Sequence, residues 1–306
     1  MKRLIVILGV MGTSFSSLFV RWSTAPSLVL VLYRVLMAAA LLAPVVFLHH
    51  REELRKIHKK DLLLCSVSGA FLGLHFAAYF ESLHFTSVAA AVVLADTEVF
   101  FVALGSILFL RHKLSRKACI AILLTFCGSV VVAFSGATAG GDILRGNLLA
   151  LSSALFMTVY TVIGAVCRRS LSTTIYTFFV YLFAGVTVLV LSIAGGTPVF
   201  GYGGINLATA LGMAVFCTLT GHSVFSWGLK YLPPTFISTA KLLEPVFSSV
   251  WALFVFSERP GLPVILGGVV VLLGIAMYCR IMEERPETGA METDTIQSAP
   301  VSNESI

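Results

Sequence analysis

Ten apolar runs, each about as long as a bilayer is thick, follow one another along the chain with only short polar joins between them. They lie at about 4–20, 27–48, 62–80, 86–109, 117–135, 146–167, 174–194, 205–228, 235–256 and 261–280. A membrane-crossing helix needs roughly 20 mainly apolar residues. Hydrocarbon offers no partner to a free backbone N–H or C=O, so spanning segments are helices or closed barrels. A barrel would alternate apolar and polar residues over segments of about ten, and these runs do not. The expected fold is an all-α membrane protein of ten transmembrane helices.

Composition supports this reading and removes others. Charged residues make up 12% of the 306 and apolar ones 58%; a soluble domain carries about twice that charge fraction. The net charge of +6 is scattered over the joins rather than gathered on one face or arm, so no nucleic-acid partner is expected. The six cysteines lie in or beside apolar runs without CxxC spacing, which points to neither a disulfide framework nor a zinc site. His49, His50 and His58 flank a basic loop without forming a closed ligand set. No cofactor is expected. Lys2-Arg3 before an apolar run resembles a signal peptide, but the run is long and Arg21-Trp22 stands where small residues would permit cleavage; the segment is read as a retained first span.

Sixteen Lys and Arg fall in segments on the side of Lys2 and Arg3, and three (Arg21, Arg145, Arg259) on the other. Two, Arg34 and Lys241, lie within spans. The positive-inside rule then predicts both termini in the cytoplasm and an even number of spans in the cell membrane. The tail 281–306, with six acidic residues and one Arg, is expected to be disordered and cytoplasmic.

The chain divides into two halves of five spans, 1–135 and 146–280. Moving residues 79–128 forward by 146 lays them on 225–274 without a gap. Leu83 then meets Leu229, Glu98 meets Glu244, Phe101 meets Phe247 and Gly128 meets Gly274. Five is odd, so the second half is expected to enter the membrane upside down. Inverted repeats of this kind place a solute site near the midplane between the halves.

A family is recognisable in these residues. Leu32-Tyr33-Arg34-Val35-Leu36-Met37-Ala38-Ala39 follows Pro26 in span 2. Leu74-His75-Phe76, Tyr79 and Ser82-Leu83-His84-Phe85-Thr86-Ser87-Val88-Ala89 cover spans 3 and 4. Gly228-Leu229-Lys230-Tyr231-Leu232-Pro233-Pro234 joins spans 8 and 9, and Leu243-Glu244-Pro245-Val246, Ser257-Glu258-Arg259-Pro260, Gly267 and Gly274 complete the pattern. Over residues 4–280 the chain resembles the EamA-type branch of the drug/metabolite transporter superfamily. The resemblance implies two EamA-like repeats and transport of a small-molecule substrate, without naming it. Two departures stand out: Glu98-Val99 matches Glu244-Pro245, so span 4 lacks the kink-prone proline, and His112 stands opposite Glu258.

Charges inside a span are costly and face a cavity or a partner. Lys241 and Glu244, three apart, are expected on one helix face, lining a cavity or pinning span 9 to a neighbour. Arg34 can fork onto an anionic group of a substrate, or pair with Asp96 or a glutamate. Asp96 and Glu98 point to different sides of span 4 and are candidates for proton coupling or for structural hydrogen bonding. His75 and His222 occupy nearly equivalent places in spans 3 and 8, one residue out of register, and either lines the cavity or bonds a neighbouring helix. Tyr79 and Trp227 read first as interfacial anchors, with substrate stacking for Tyr79 the alternative. Pro245 frees a carbonyl and favours a gating bend. Gly69 and Gly73 form a small-residue packing face.

With no Walker A pattern in the chain, the expected function is secondary transport of a small organic metabolite, an amino acid or related compound, by alternating access, proton-coupled or by exchange. The partners are that solute and the lipid bilayer, with a homodimer admitted. The alternatives are a passive channel and an intramembrane serine protease, the latter from Ser66-Val67-Ser68-Gly69 with His222 as base.

Overall fold

The structure, a computed structural model, describes residues 1–86, 88–110, 114–134, 142–257 and 260–284, with backbone only for residue 17 and for 88–90, 132–134 and 282–284. Expectations placed on Ser87, His112, Glu258, Arg259 and the tail beyond Glu284 fall outside these residues. Among the described residues the regular structure is all helical. The elements are α1 (Lys2–Ser14), α2 (Ser16–Trp22), α3 (Ser27–His49), α4 (Arg51–Lys56), α5 (Lys59–Ser82), α6 (Val88–Asp96), α7 (Glu98–Phe109) and α8 (Arg116–Phe134). They continue as α9 (Ile143–Cys167), α10 (Thr173–Ala194), α11 (Gly204–Gly212), a π-helical segment (Met213–His222), α12 (Ser223–Gly228), α13 (Pro234–Lys241), α14 (Glu244–Phe256) and α15 (Leu262–Glu284).

Nine helical segments among the described residues are long and apolar enough to cross a membrane. The expected fifth span is helical as α8 over 19 residues and is not among those nine. The segment ends alternate between two faces of the bundle. Arg3 donates to the Cys279 carbonyl at 2.9 Å and Lys2 sits over Tyr231, gathering the first and last spans at one end. Tyr33 reaches the Val199 carbonyl at 2.6 Å, and Trp22 packs on Phe256, at the other.

The two halves clasp each other through reciprocal contacts. α5 packs on α9 as the π-helical segment packs on α1. α10 packs on α5 as α3 packs on α11 and the π-helical segment, and α6 and α7 lie on α9 as α13 and α14 lie on α1. The pairs α3 with α10 and α8 with α15 are their own counterparts. Reciprocity reaches single residues. A Cβ on Gly128 would stand 2.8 Å from the Val271 nitrogen, and one on Gly274 would stand 2.9 Å from the Thr125 nitrogen; with the offset of 146, these are the same contact made twice. Self-complementary contact of this kind is the mark of a two-fold relation. Gly69 and Gly73 let α5 close on α10, facing the carbonyls of Val180 and Ala184.

Several spans expected to be single helices are interrupted, each where protein takes up the freed groups. Span 1 breaks at Phe15, where Ser248 donates to the Ser14 carbonyl and Trp251 to the Ser14 hydroxyl. Span 9 breaks at Leu242–Leu243, just before Pro245 withdraws an N–H. Span 4 breaks at Thr97, at the position equivalent to Leu243, without any proline. There the Thr97 hydroxyl bonds the Leu94 carbonyl at 2.5 Å.

Because the α8–α15 seam depends on backbone approach, Gly128→Val should cost about 1–3 kcal/mol of overpacking, while Gly203→Ala, which meets nothing within 4 Å, should be neutral. Thermal unfolding of the detergent-solubilised protein, followed by size-exclusion chromatography, measures both.

Candidate functional site

The interruptions of spans 4 and 9 place two carboxylates at equivalent positions, each in the first turn of an inner half-helix: Glu98 opens α7 and Glu244 opens α14. A helix N-terminus carries partial positive charge and favours an anion there. Their other partners differ. Lys241 Nζ bonds both Glu98 oxygens at 2.8 Å, with the two side chains 15% and 6% exposed. Glu244 accepts from the Thr13 hydroxyl at 3.0 Å. Lys241 therefore pairs across the halves and not within its own span. Lys241 and Glu244 fall on either side of the helix break, in α13 and α14, and the Lys241–Glu98 bond is the pinning of span 9 to a neighbour that stood as the alternative to cavity lining.

Asp96 accepts from Ser129 at 2.8 Å on α8. It faces a different element from Glu98, as their spacing suggests.

Arg34 is 2% exposed on α3. Its Nε donates to the Thr218 hydroxyl at 3.1 Å, and the Phe76 ring covers it with a centroid distance of 4.5 Å. Among the described residues it has no carboxylate within ion-pair distance, which sets aside a direct pair with Asp96 or either glutamate. Its remaining four N–H groups have no protein acceptor among the described residues.

His75 Nδ1 lies 3.0 Å from the Ser153 carbonyl. A carbonyl only accepts, so Nδ1 is the donor of this bond. His222 closes the π-helical segment among Phe76, Tyr160 and Phe225, 6% exposed, and its Nδ1 has no hydrogen-bond partner among the described residues. Tyr79 stacks on His75 at 6.4 Å and lies within electrostatic reach of Glu244 and Asp96. It lies beside the interior cluster, three residues before the end of α5. Trp227 does stay at an end of the bundle, against Tyr231.

Arg34, Lys241, Glu98, Glu244, Asp96, His75 and His222 form one electrostatically connected group where the two halves meet. Thr13, Phe76, Tyr160, Tyr181 and Thr218 complete it and were not singled out from the sequence. Ser68, the nucleophile of the protease alternative, shares its hydroxyl with Tyr176 at 2.7 Å and the Tyr160 carbonyl; neither partner is a histidine.

Two cavities open at the ends of the bundle, away from this cluster. One, about 600 Å³, is lined by His49, His50, Glu52, Glu53, His58 and Asp61 among others; the other, about 460 Å³, by Thr24, Phe80, Glu81 and His84 among others. Each end carries a side-chain clasp. At the first, Glu53 accepts from the Ser172 backbone N–H at 2.6 Å and meets His50 at 3.2 Å. At the second, the Asn206 oxygen accepts from the backbone of Thr24 at 2.8 Å and of Ala25 at 3.1 Å. Thr24–Ala25 precedes α3 as Ser172 precedes α10, so equivalent corners are held at opposite faces.

The sequence profile of the EamA-like transporter family matches residues 2–134 and again 144–280. The chain belongs to the EamA-like transporter family. Among its relatives are an uncharacterized transporter of Archaeoglobus fulgidus, 24% identical over 80% of this chain and 85% of that protein. The uncharacterized transporter YxxF of Bacillus subtilis is 25% identical over 91% and 89%. A solved crystal structure at 16% identity superposes with a TM-score of 0.75 over 92% of this chain and 98% of its own, a likeness of fold. As an EamA-like protein the chain is a multi-pass membrane transporter of a small-molecule substrate.

Cutting one side of the buried Lys241–Glu98 pair leaves an unpaired charge, a loss of about 3 kcal/mol or more. Lys241→Met and Glu98→Gln should each lower the detergent melting temperature more than the double variant does. A double variant at least as unstable as either single one would count against the pair.

Proposed function

We propose that the chain is a secondary carrier in which the two halves enclose the Arg34 cluster and expose it alternately to either side. Counting α8 as a crossing gives ten, an even number that fits the Arg3–Cys279 contact and both termini in the cytoplasm. The observation that carries the reading is Arg34: a buried guanidinium at the junction of the halves with a free fork. It anchors the anionic group of a small organic metabolite, an amino acid or related compound. Glu244, held by one neutral hydroxyl, faces the cationic end of such a solute, with His75, His222 and Tyr79 around them. Of the two carboxylates considered for proton coupling, Glu98 is locked to Lys241 while Asp96, among the described residues, bonds Ser129 alone, so Asp96 is the proton carrier. Pro245 hinges the half-helix that bears Glu244. The reciprocal clasps at Glu53 and Asn206 support two gates, the first cytoplasmic and the second external.

The deciding experiment is uptake of radiolabelled L-amino acids into proteoliposomes. Saturable uptake, accelerated by solute on the far side and lost in Arg34→Ala at normal folded yield, is expected. Flux in Arg34→Ala equal to wild type would remove the anchor, and absence of acceleration would favour a pore. Asp96→Asn should keep exchange and lose pH-driven accumulation.

The clasps give a further expectation. In a variant retaining Cys217 as its one thiol, a membrane-impermeant thiol reagent should label more from the cytoplasmic face after Glu53→Ala and more from outside after Asn206→Ala. Burial raises the pKa of Glu53, but the Ser172 N–H and His50 outweigh it, leaving it below the ordinary 4.5. A depressed carboxylate stabilises in full above its ordinary pKa and loses that contribution as pH falls through the lowered value. Taking the cytoplasmic face from about pH 7 to about pH 5 should therefore leave the labelling unchanged through Glu53.

A further inference from the structure

We propose that Thr218 is a positioning residue for substrate recognition, setting the direction in which Arg34 presents its fork. The proposal rests on the reading that Arg34 binds the anionic group of the solute. In an α-helix a threonine hydroxyl bonds back to the carbonyl three or four residues earlier. Here the wide π-turns offer the carbonyl five residues back, and Thr218 donates to Met213 at 3.2 Å. That bond takes the one hydroxyl hydrogen and turns the oxygen lone pairs toward α3, where they accept from Arg34 Nε at 3.1 Å.

Thr218 is itself held from the other side. Tyr181 on α10 donates to the Thr218 carbonyl at 3.1 Å and lies 2.9 Å from the Ser223 hydroxyl. Thr218 is 1% exposed and Tyr181 fully buried, so water does not substitute for these bonds. With Nε taken by Thr218 and one face of the guanidinium covered by Phe76, the two terminal nitrogens are what remains for a ligand. Two parallel N–H bonds from that end match a carboxylate.

Thr218→Val preserves shape but removes the hydroxyl, and Thr218→Ser restores it. In the proteoliposome assay with radiolabelled L-amino acids, Thr218→Val should raise KM roughly tenfold, the loss that one charge-assisted hydrogen bond represents, with little change in maximal rate. Competition by amino-acid amides, which lack the carboxylate, should be unaffected. Thr218→Ser should return KM to near wild type. A Thr218→Val protein with wild-type KM, alongside an inactive Arg34→Ala, overturns the positioning role and leaves the anchor standing; active Arg34→Ala overturns the anchor.

A second measurement needs no transported solute. The rate of Arg34 modification by phenylglyoxal, read peptide by peptide by mass spectrometry, should change in Thr218→Val and recover in Thr218→Ser. Equal rates in all three proteins would overturn the proposal.

Discussion

A helix can be interrupted within a bilayer only where protein or enclosed water takes up the backbone groups it frees. This constraint organises the structure. Spans 4 and 9 break at equivalent positions, and each break ends one helix and begins another deep in the bundle. The new N-termini add positive potential beside two carboxylates that side chains also hold, Glu98 by Lys241 and Glu244 by Thr13. Glu98 and Glu244 stand there. The acidic residues are therefore tolerated because the helices are broken, and the breaks are tolerated because the reciprocal halves close over them.

Closure depends in turn on how near the helix backbones approach. Lipid tails are as apolar as leucine, so helices in a membrane associate through packing rather than by escaping water. Gly128 and Gly274 bring α8 against α15, and Gly69 and Gly73 bring α5 against α10. Larger side chains at these places would push apart the elements that shield Lys241, Glu98 and Arg34. The polar interior is thus a consequence of small residues that carry no charge.

The coarse fold was legible in the sequence because hydropathy over twenty residues reports directly on the lipid environment. The equivalence of Glu98 and Glu244 was legible too, since an ungapped offset preserves it. Legibility ended where three-dimensional partners decide. Lys241 and Glu244 stand three apart, and nothing in that spacing shows that Lys241 crosses to Glu98 in the other half. Span 4, lacking proline, reads as continuous, yet its helix is interrupted at Thr97. Nothing in the composition of Met213–His222 announces π-turns, so Thr218 could not be found as the partner of Arg34. Thr13 was invisible for a like reason: its bond to Glu244 joins residues 231 apart.

The two-fold relation holds for which elements pack on which and is broken in charge. Glu98 and Glu244 are equivalent, but the offset that superposes them sets Lys241 against Ala95. One carboxylate is therefore neutralised by a lysine from the opposite half, while the other has a threonine hydroxyl and lies within electrostatic reach of Arg34. A strictly symmetric interior would present the same groups twice and bind a solute equally well in either of two orientations. Placing the cation on one side of the pseudo-axis assigns different surroundings to equivalent positions: Lys241 ties Glu98 to the other half, while Glu244 is held by Thr13. In the carrier proposed above, symmetry of the backbone would supply the two openings, and asymmetry of the charges would give the chamber a single direction in which to hold a solute.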